Sequence, residues 1–196
     1  MYARTRTAIA VLAALGALTL TACDTGSTVV DKPKSGAADE GSAKGTSKEK
    51  EKEDSAPEVA EVGDTLTLRG MENGSRMDVT VVKVADPAKS ADQFLEPDAG
   101  KRWVGVQFKL VNTGEAAYSD SPSNGAQVAD SEGQQFDAGF GDITAGPTMA
   151  SSLKLKPGAQ GLGWIVFEVP EAAKLSTVQF TMDSGFADQT GEWKLS

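Results

Sequence analysis

A chain of 196 residues with no histidine and a single cysteine lacks the side chains for a Ser-His-Asp or Cys-His nucleophilic site, for a zinc site of the His/Cys kind and for an internal disulfide. Its 28 acidic residues outnumber 19 basic ones, giving a formal charge of −9 and excluding the basic footprint that nucleic-acid binding requires. An acidic surface of this kind favours solubility and attracts cations or basic partners.

Arg4 and Arg6 open the chain with positive charge, and an uncharged, mostly apolar run follows from Ala8 to Leu20. A basic start, a short apolar core and small residues before a cleavage point predict a secretory signal peptide over residues 1–22. The run falls short of the roughly 20 apolar residues that a membrane-spanning helix needs. Leu20-Thr21-Ala22-Cys23 resembles the bacterial lipobox. That resemblance implies cleavage between Ala22 and Cys23 and lipidation of the Cys23 sulfur. A diacylglyceryl cysteine carries more than one acyl chain, and paired chains anchor a protein stably. The expected location is the extracytoplasmic face of a bacterial cell membrane, with the lipid anchor as the membrane contact.

From Asp24 to Pro57 there is no aromatic residue and almost nothing apolar larger than alanine; Lys48 to Asp54 reads Lys-Glu-Lys-Glu-Lys-Glu-Asp. Such a stretch buries too little surface to offset its ordering entropy. Residues 23–57 are therefore expected to be a lipidated cysteine followed by a disordered charged linker, spanning about 30 Å as a flexible coil.

Residues 58–196 suit one domain, and their signals are strand signals. A strand near Thr65–Arg69 leads to Asn73-Gly74, a pair that favours a tight hairpin turn. Met77, Val79 and Val81 then alternate with neighbours until Asp86-Pro87, and a short helical turn is the reading for Ala88 to Leu95. Val104, Val106, Phe108 and Leu110 alternate next; Ile165, Phe167 and Val169 do so before Pro170; Val178, Phe180 and Met182 form the last run. Period-two alternation over short runs marks strands with one face in a core. Asn112-Thr113-Gly114, Ser131-Glu132-Gly133 and Pro157-Gly158 supply turns between them. The prediction is an all-β, immunoglobulin-like antiparallel β-sandwich of 7–9 strands, with a closed barrel as its rival.

The run Val104-Gly105-Val106-Gln107-Phe108-Lys109-Leu110-Val111-Asn112-Thr113-Gly114, followed by Leu155-Lys156-Pro157-Gly158 and by Gly163-Trp164-Ile165-Val166-Phe167-Glu168-Val169-Pro170, resembles domain-of-unknown-function family 4352. The resemblance covers roughly Val62 to Leu195. It implies an extracytoplasmic, often lipid-anchored domain similar in fold to a secreted immunoglobulin-like mycobacterial antigen, with no catalytic residues to carry over. Trp103 and Gly105 depart from it, standing where a smaller aromatic and a valine are expected, a change that should alter packing only.

Motifs with chemical meaning are weak. Ser151-Ser152-Leu153-Lys154 matches Ser-x-x-Lys without its companion motifs and reads as an exposed strand. Gly139-Phe140-Gly141 lacks the third glycine of a dinucleotide loop and reads as a turn or bulge. Asp120 to Gly125 begins like a calcium loop but fails at Pro122 and Ser131. No catalytic residue, metal or cofactor is expected. Two features keep functional interest. Asp86, Asp92, Glu96 and Asp98 surround Phe94-Leu95, which reads either as a cation-binding or partner-binding knob or as a plug for the open end of the sandwich. Trp103, Trp164 and Trp193 are candidates for an exposed carbohydrate or protein interface, with core packing as the default. The expected function is a membrane-anchored lipoprotein presenting a binding module to an envelope protein or wall polymer, and not an enzyme. The alternatives are a small-ligand or metal-binding lipoprotein accessory to a transporter, and a wall hydrolase using carboxylates alone. Replacing Cys23→Ala should abolish incorporation of a fatty-acid probe in growing cells and leave the precursor uncut at Ala22-Cys23; equal labelling of wild type and variant would contradict lipidation.

Overall fold

The structure is a computed structural model describing residues 60–195; the predicted signal peptide, Cys23 and the linker lie outside the described residues. Within them the strands are β1 (Ala60–Glu61), β2 (Thr65–Arg69), β3 (Arg76–Ala85), β4 (Lys101–Asn112), β5 (Tyr118–Asp120), β6 (Ala126–Asp130), β7 (Gln135–Gly139), β8 (Leu153–Leu155), β9 (Gln160–Pro170), β10 (Leu175–Thr181) and β11 (Thr190–Lys194). The first sheet runs β2-β3-β4-β9-β7 and the second β7-β6-β10-β11-β1. Strand β7 pairs with β6 on one side and with β9 on the other, so it joins the two sheets at one edge. All the ladders are antiparallel except β1 on β11. A separate ribbon pairs β5 with β8. The immunoglobulin-like sandwich expected from the alternation is present, with nine strands in its joined sheets.

Period-two alternation places one residue set between the sheets. Leu66, Leu68, Met77, Val79, Val81, Val104, Val106, Phe108 and Leu110 face Val128, Val178, Phe180 and Trp193 there. Phe108 and Phe180 meet across the core as a tilted pair, with ring centroids 5.5 Å apart, a favourable aromatic geometry. At the edge opposite β7 no ladder among the described residues closes the sandwich. Side chains stitch it instead: the Trp193 indole donates to the Asp64 carbonyl at 3.0 Å, and the Arg69 amide donates to Gln189 Oε1 at 2.9 Å. The rival reading of a closed barrel therefore holds at one edge only.

Two local expectations change. Asn73-Gly74 does not make a two-residue hairpin: Arg69 pairs with Arg76, leaving a six-residue loop in which Gly74 takes the left-handed conformation. The loop is held at its neck by the Gly70 amide donating to the Ser75 carbonyl. Ala88 to Leu95 forms no helix. Its amides bond to the sheet and to a second loop, so a helical ladder loses to tertiary pairing.

Arg102, at the start of β4, locks that end of the sandwich. Its guanidinium donates to both Asp86 carboxylate oxygens at 2.6 and 2.9 Å and to the carbonyls of Pro170, Glu171 and Ala173. A planar fork of donors suits this task, and a lysine cannot replace it. Phe108→Ala should lower the unfolding free energy of the full chain by about 3–5 kcal/mol, the cost of removing a buried aromatic from a packed core, read as a shift of the denaturant midpoint.

Candidate functional site

Strands β4 and β9 pair along their whole length, from Lys101↔Pro170 to Val111↔Gln160. One face of the pair lines the core. The other should face water, yet Trp103 and Gly105 on β4 and Trp164 and Val166 on β9 are buried there. Two loops cover them: residues 86–100, between β3 and β4, and residues 140–152, between β7 and β8. Ile143 inserts between the tryptophans, so that Trp103, Ile143, Trp164 and Val166 make a second, smaller core on the outside of the sheet, with Ala85 and Ala88 against it.

Backbone bonds fix both loops. The Ala88 amide donates to the Trp103 carbonyl at 2.7 Å, and the Met149 amide to the Trp164 carbonyl at 2.7 Å, tying each loop to the sheet. The Ala91 amide donates to the Asp142 carbonyl at 2.8 Å and the Thr144 amide to the Lys89 carbonyl at 2.9 Å, tying the loops to each other. Glycines make the room. A Cβ at Gly105 would stand 2.4 Å from Ile143 Cδ1, and one at Gly141 would stand 2.9 Å from the Trp103 ring. Gly105 in place of a larger residue is thus what admits Ile143, and Gly141 is what admits an aromatic as large as Trp103.

The lid built in this way displays apolar side chains outward. Phe94 is 87% exposed, Leu95 43% and Phe140 97%. Leu95 and Phe140 flank a cleft of about 610 Å³ whose floor includes Met149, Trp164 and Ile165 and whose far wall is the short 3₁₀ turn Pro122–Gly125. Asp142 also lines this cleft. It shares a second, shallower hollow of about 430 Å³ with Ala91, Asp92 and Gln93.

The acidic residues of the first loop have separate tasks. Asp86 is taken by Arg102. Asp98 and Glu168 both accept from Lys101, at 3.2 and 2.7 Å, and Glu168 also takes the Asp98 amide and the Trp103 indole. The hydrogen bond from Lys101 holds the Glu168 carboxyl below its usual range. Any stability it lends is therefore present above the ordinary glutamate pKa and is lost as pH falls through the lowered value. Asp92 accepts the Phe94 amide at 2.8 Å, setting the knob, and Asp142 accepts the Thr148 hydroxyl at 2.5 Å.

Of the two readings of Phe94-Leu95, the structure has the pair standing out from the lid and not plugging the end of the sandwich. Trp103, Trp164 and Trp193 correct the expectation of an exposed aromatic interface. They are 3%, 4% and 0% exposed, because the lid covers the first two and the main core takes the third. Ser151 and Ser152 are exposed ahead of β8, and Lys154 pairs in register with Ser119 on the ribbon. Asp120 accepts from the Ser121 amide and from the Ser184 amide and hydroxyl, which makes it a fastener between turns. The sequence places Phe140 only in the middle of a glycine pair; it continues the Phe136–Ala138 alternation one step past the end of β7, where it stands exposed while they are half-buried against the core. Gly105→Val should destabilise the full chain by about 1–3 kcal/mol through overpacking, and Ile143→Ala should recover part of that loss in the double variant. Strictly additive losses in chemical unfolding would contradict the second core.

Comparison with known proteins agrees with this architecture. The chain matches the family model described as a domain of unknown function (DUF4352) over residues 70–191. None of the curated proteins matches it. Among solved structures, the secreted protein MPT63 of Mycobacterium tuberculosis is 16% identical with a TM-score of 0.51, the match covering 72% of this chain and 100% of that one. The yjhA protein of Bacillus subtilis is also 16% identical, with a TM-score of 0.50, over 70% of this chain and 100% of that one. Identities this low carry the fold and nothing finer. With more than half of its length matched by the family model, the chain belongs to the DUF4352 family.

Proposed function

We propose that the protein is a lipid-anchored module of the bacterial cell envelope that works by binding, with the two-loop lid as its recognition surface. The carrying observation is the exposure of Phe94 and Phe140 on loops that are themselves bonded to each other and to the sheet. Large apolar side chains held outward on a fixed support cost solubility, and contiguous exposed apolar surface is characteristic of contact sites. A fixed support also spares the ordering cost that a floppy loop would bring to binding. The anchor rests on the lipobox at Leu20 to Cys23 and places the lid at the extracytoplasmic surface, facing an envelope protein or wall polymer. Binding without catalysis accords with a chain that has no histidine and whose one thiol is the anchor.

In cells making the full chain, a photo-crosslinking residue in place of Leu95 should capture a discrete partner. Phe94→Ser and Phe140→Ser should each reduce capture about tenfold, as loss of a central anchor does. Phe186→Ser, on a different exposed loop, should leave capture unchanged. Undiminished capture by the Phe94 and Phe140 variants would remove the lid as the recognition surface.

A further inference from the structure

The lid carries two adjoining compartments of opposite character. The cleft between Phe140 and the 3₁₀ turn has an apolar floor of Met149, Trp164 and Ile165. The hollow beside it is walled by Asp92, Gln93 and Asp142. Asp142 belongs to both, so the two meet at its carboxylate. The carboxylates are only half used. Asp92 spends Oδ1 on the Phe94 amide and Asp142 spends Oδ1 on Thr148, and the second oxygen of each accepts no hydrogen bond among the described residues. Lys89 is the basic residue of these two loops; Asp86 is paired with Arg102, and the single charge of Lys101 is shared between Asp98 and Glu168. Asp92, Glu96 and Asp142 therefore leave the surface around the apolar knob with an excess of negative charge.

We infer that the occupant of this surface is an extended peptide segment that sets an apolar side chain in the Phe140 cleft and an adjacent Lys or Arg against Asp92 and Asp142. The inference rests on the lid being the recognition surface and names its partner class. Charge complementarity selects it. An anionic lipid surface or a second copy of this chain, itself strongly acidic, would bring negative charge against negative charge, which an interface disfavours. A cationic side chain beside an apolar one matches both compartments at once, and a long basic side chain can lay its stem along apolar surface while its head reaches a carboxylate.

The test uses the isotopically labelled full chain with Cys23→Ser, and three probes read by amide and indole chemical shifts. The first is an acetylated, amidated peptide Gly-Leu-Lys-Leu-Lys-Gly; the second carries Glu for each Lys; the third is an oligomer of β-1,4-linked N-acetylglucosamine. The basic peptide should shift Leu95, Asp142, Met149 and the Trp164 indole, and the acidic peptide should not. Asp92→Asn and Asp142→Asn keep the oxygens that hold Phe94 and Thr148, so the fold is preserved. Each should weaken binding about twofold to fivefold, the range of an exposed ion pair, and added salt should do the same. Equal binding of both peptides, or unchanged binding by the Asn variants, would overturn the charge pairing while leaving the lid as a contact surface. Shifts of the same residues by the saccharide alone would overturn a peptide in favour of a wall polymer. No shift at these residues with the basic peptide would overturn the inference, and loss of crosslinking in the Phe94 and Phe140 variants would still uphold the lid.

Discussion

The long antiparallel pairing of β4 with β9 is the constraint on which the rest of the molecule depends. These strands are buried on both faces at one end, between the main core and the lid. A strand pair with one solvated face alternates; one covered on both faces becomes a continuous apolar run. Gly163 to Phe167 and Trp103 to Val106 are such runs. Once the outer face carries two tryptophans, it must be covered, and the loops at 86–100 and 140–152 are long because they do the covering. Beyond the lid the same face returns to water, with Lys109 and Leu162 exposed.

This arrangement explains why irregular backbone can display Phe94 and Phe140 in a fixed position. Amides of these loops bond to each other and to carbonyls of β4 and β9, the central strands of the first sheet, as buried backbone must. Ile143 anchors one of them much as a core residue anchors a strand. The ion pairs play a smaller part. Arg102 gathers the Asp86 carboxylate and three carbonyls at the β9–β10 turn, and the Lys101–Glu168 pair is too exposed to contribute much on its own. Packing and backbone bonds hold the lid, and the charges shape what it attracts.

Much of the fold was legible in the sequence because the inner faces obey a period of two. Met77, Val79, Val81 and Val104 through Leu110 are where alternation placed them. The lid was not legible. Periodicity reports one buried face, and a second cover drawn from distant loops leaves no regular mark; Ile143 pairs through space with Ser90 and stands alone in its own stretch. Gly105 registered only as a departure from the family pattern, and its reason needed the position of Ile143. The acid-ringed Phe94-Leu95 pair drew notice from composition, but whether it pointed inward or outward depended on what already filled the end of the sandwich. Phe140 extends the Phe136–Ala138 alternation by one step, so the pattern points it inward whereas the end of β7 leaves it exposed, and the tight hairpin at Asn73-Gly74 yields to a wider loop because register is set by the strands and not by the turn.

The central claim is that the lid is a packed, pre-organised part of the fold. Hydrogen exchange of the full chain tests it most directly, since loop amides that lack stable partners exchange quickly and core amides do not. The amides of Ala88, Ala91, Thr144 and Met149, which hold the lid, should be protected to a degree comparable with the β4 and β9 ladder. Exchange of these four at the rate of an open surface loop, with the ladder still protected, would contradict the account.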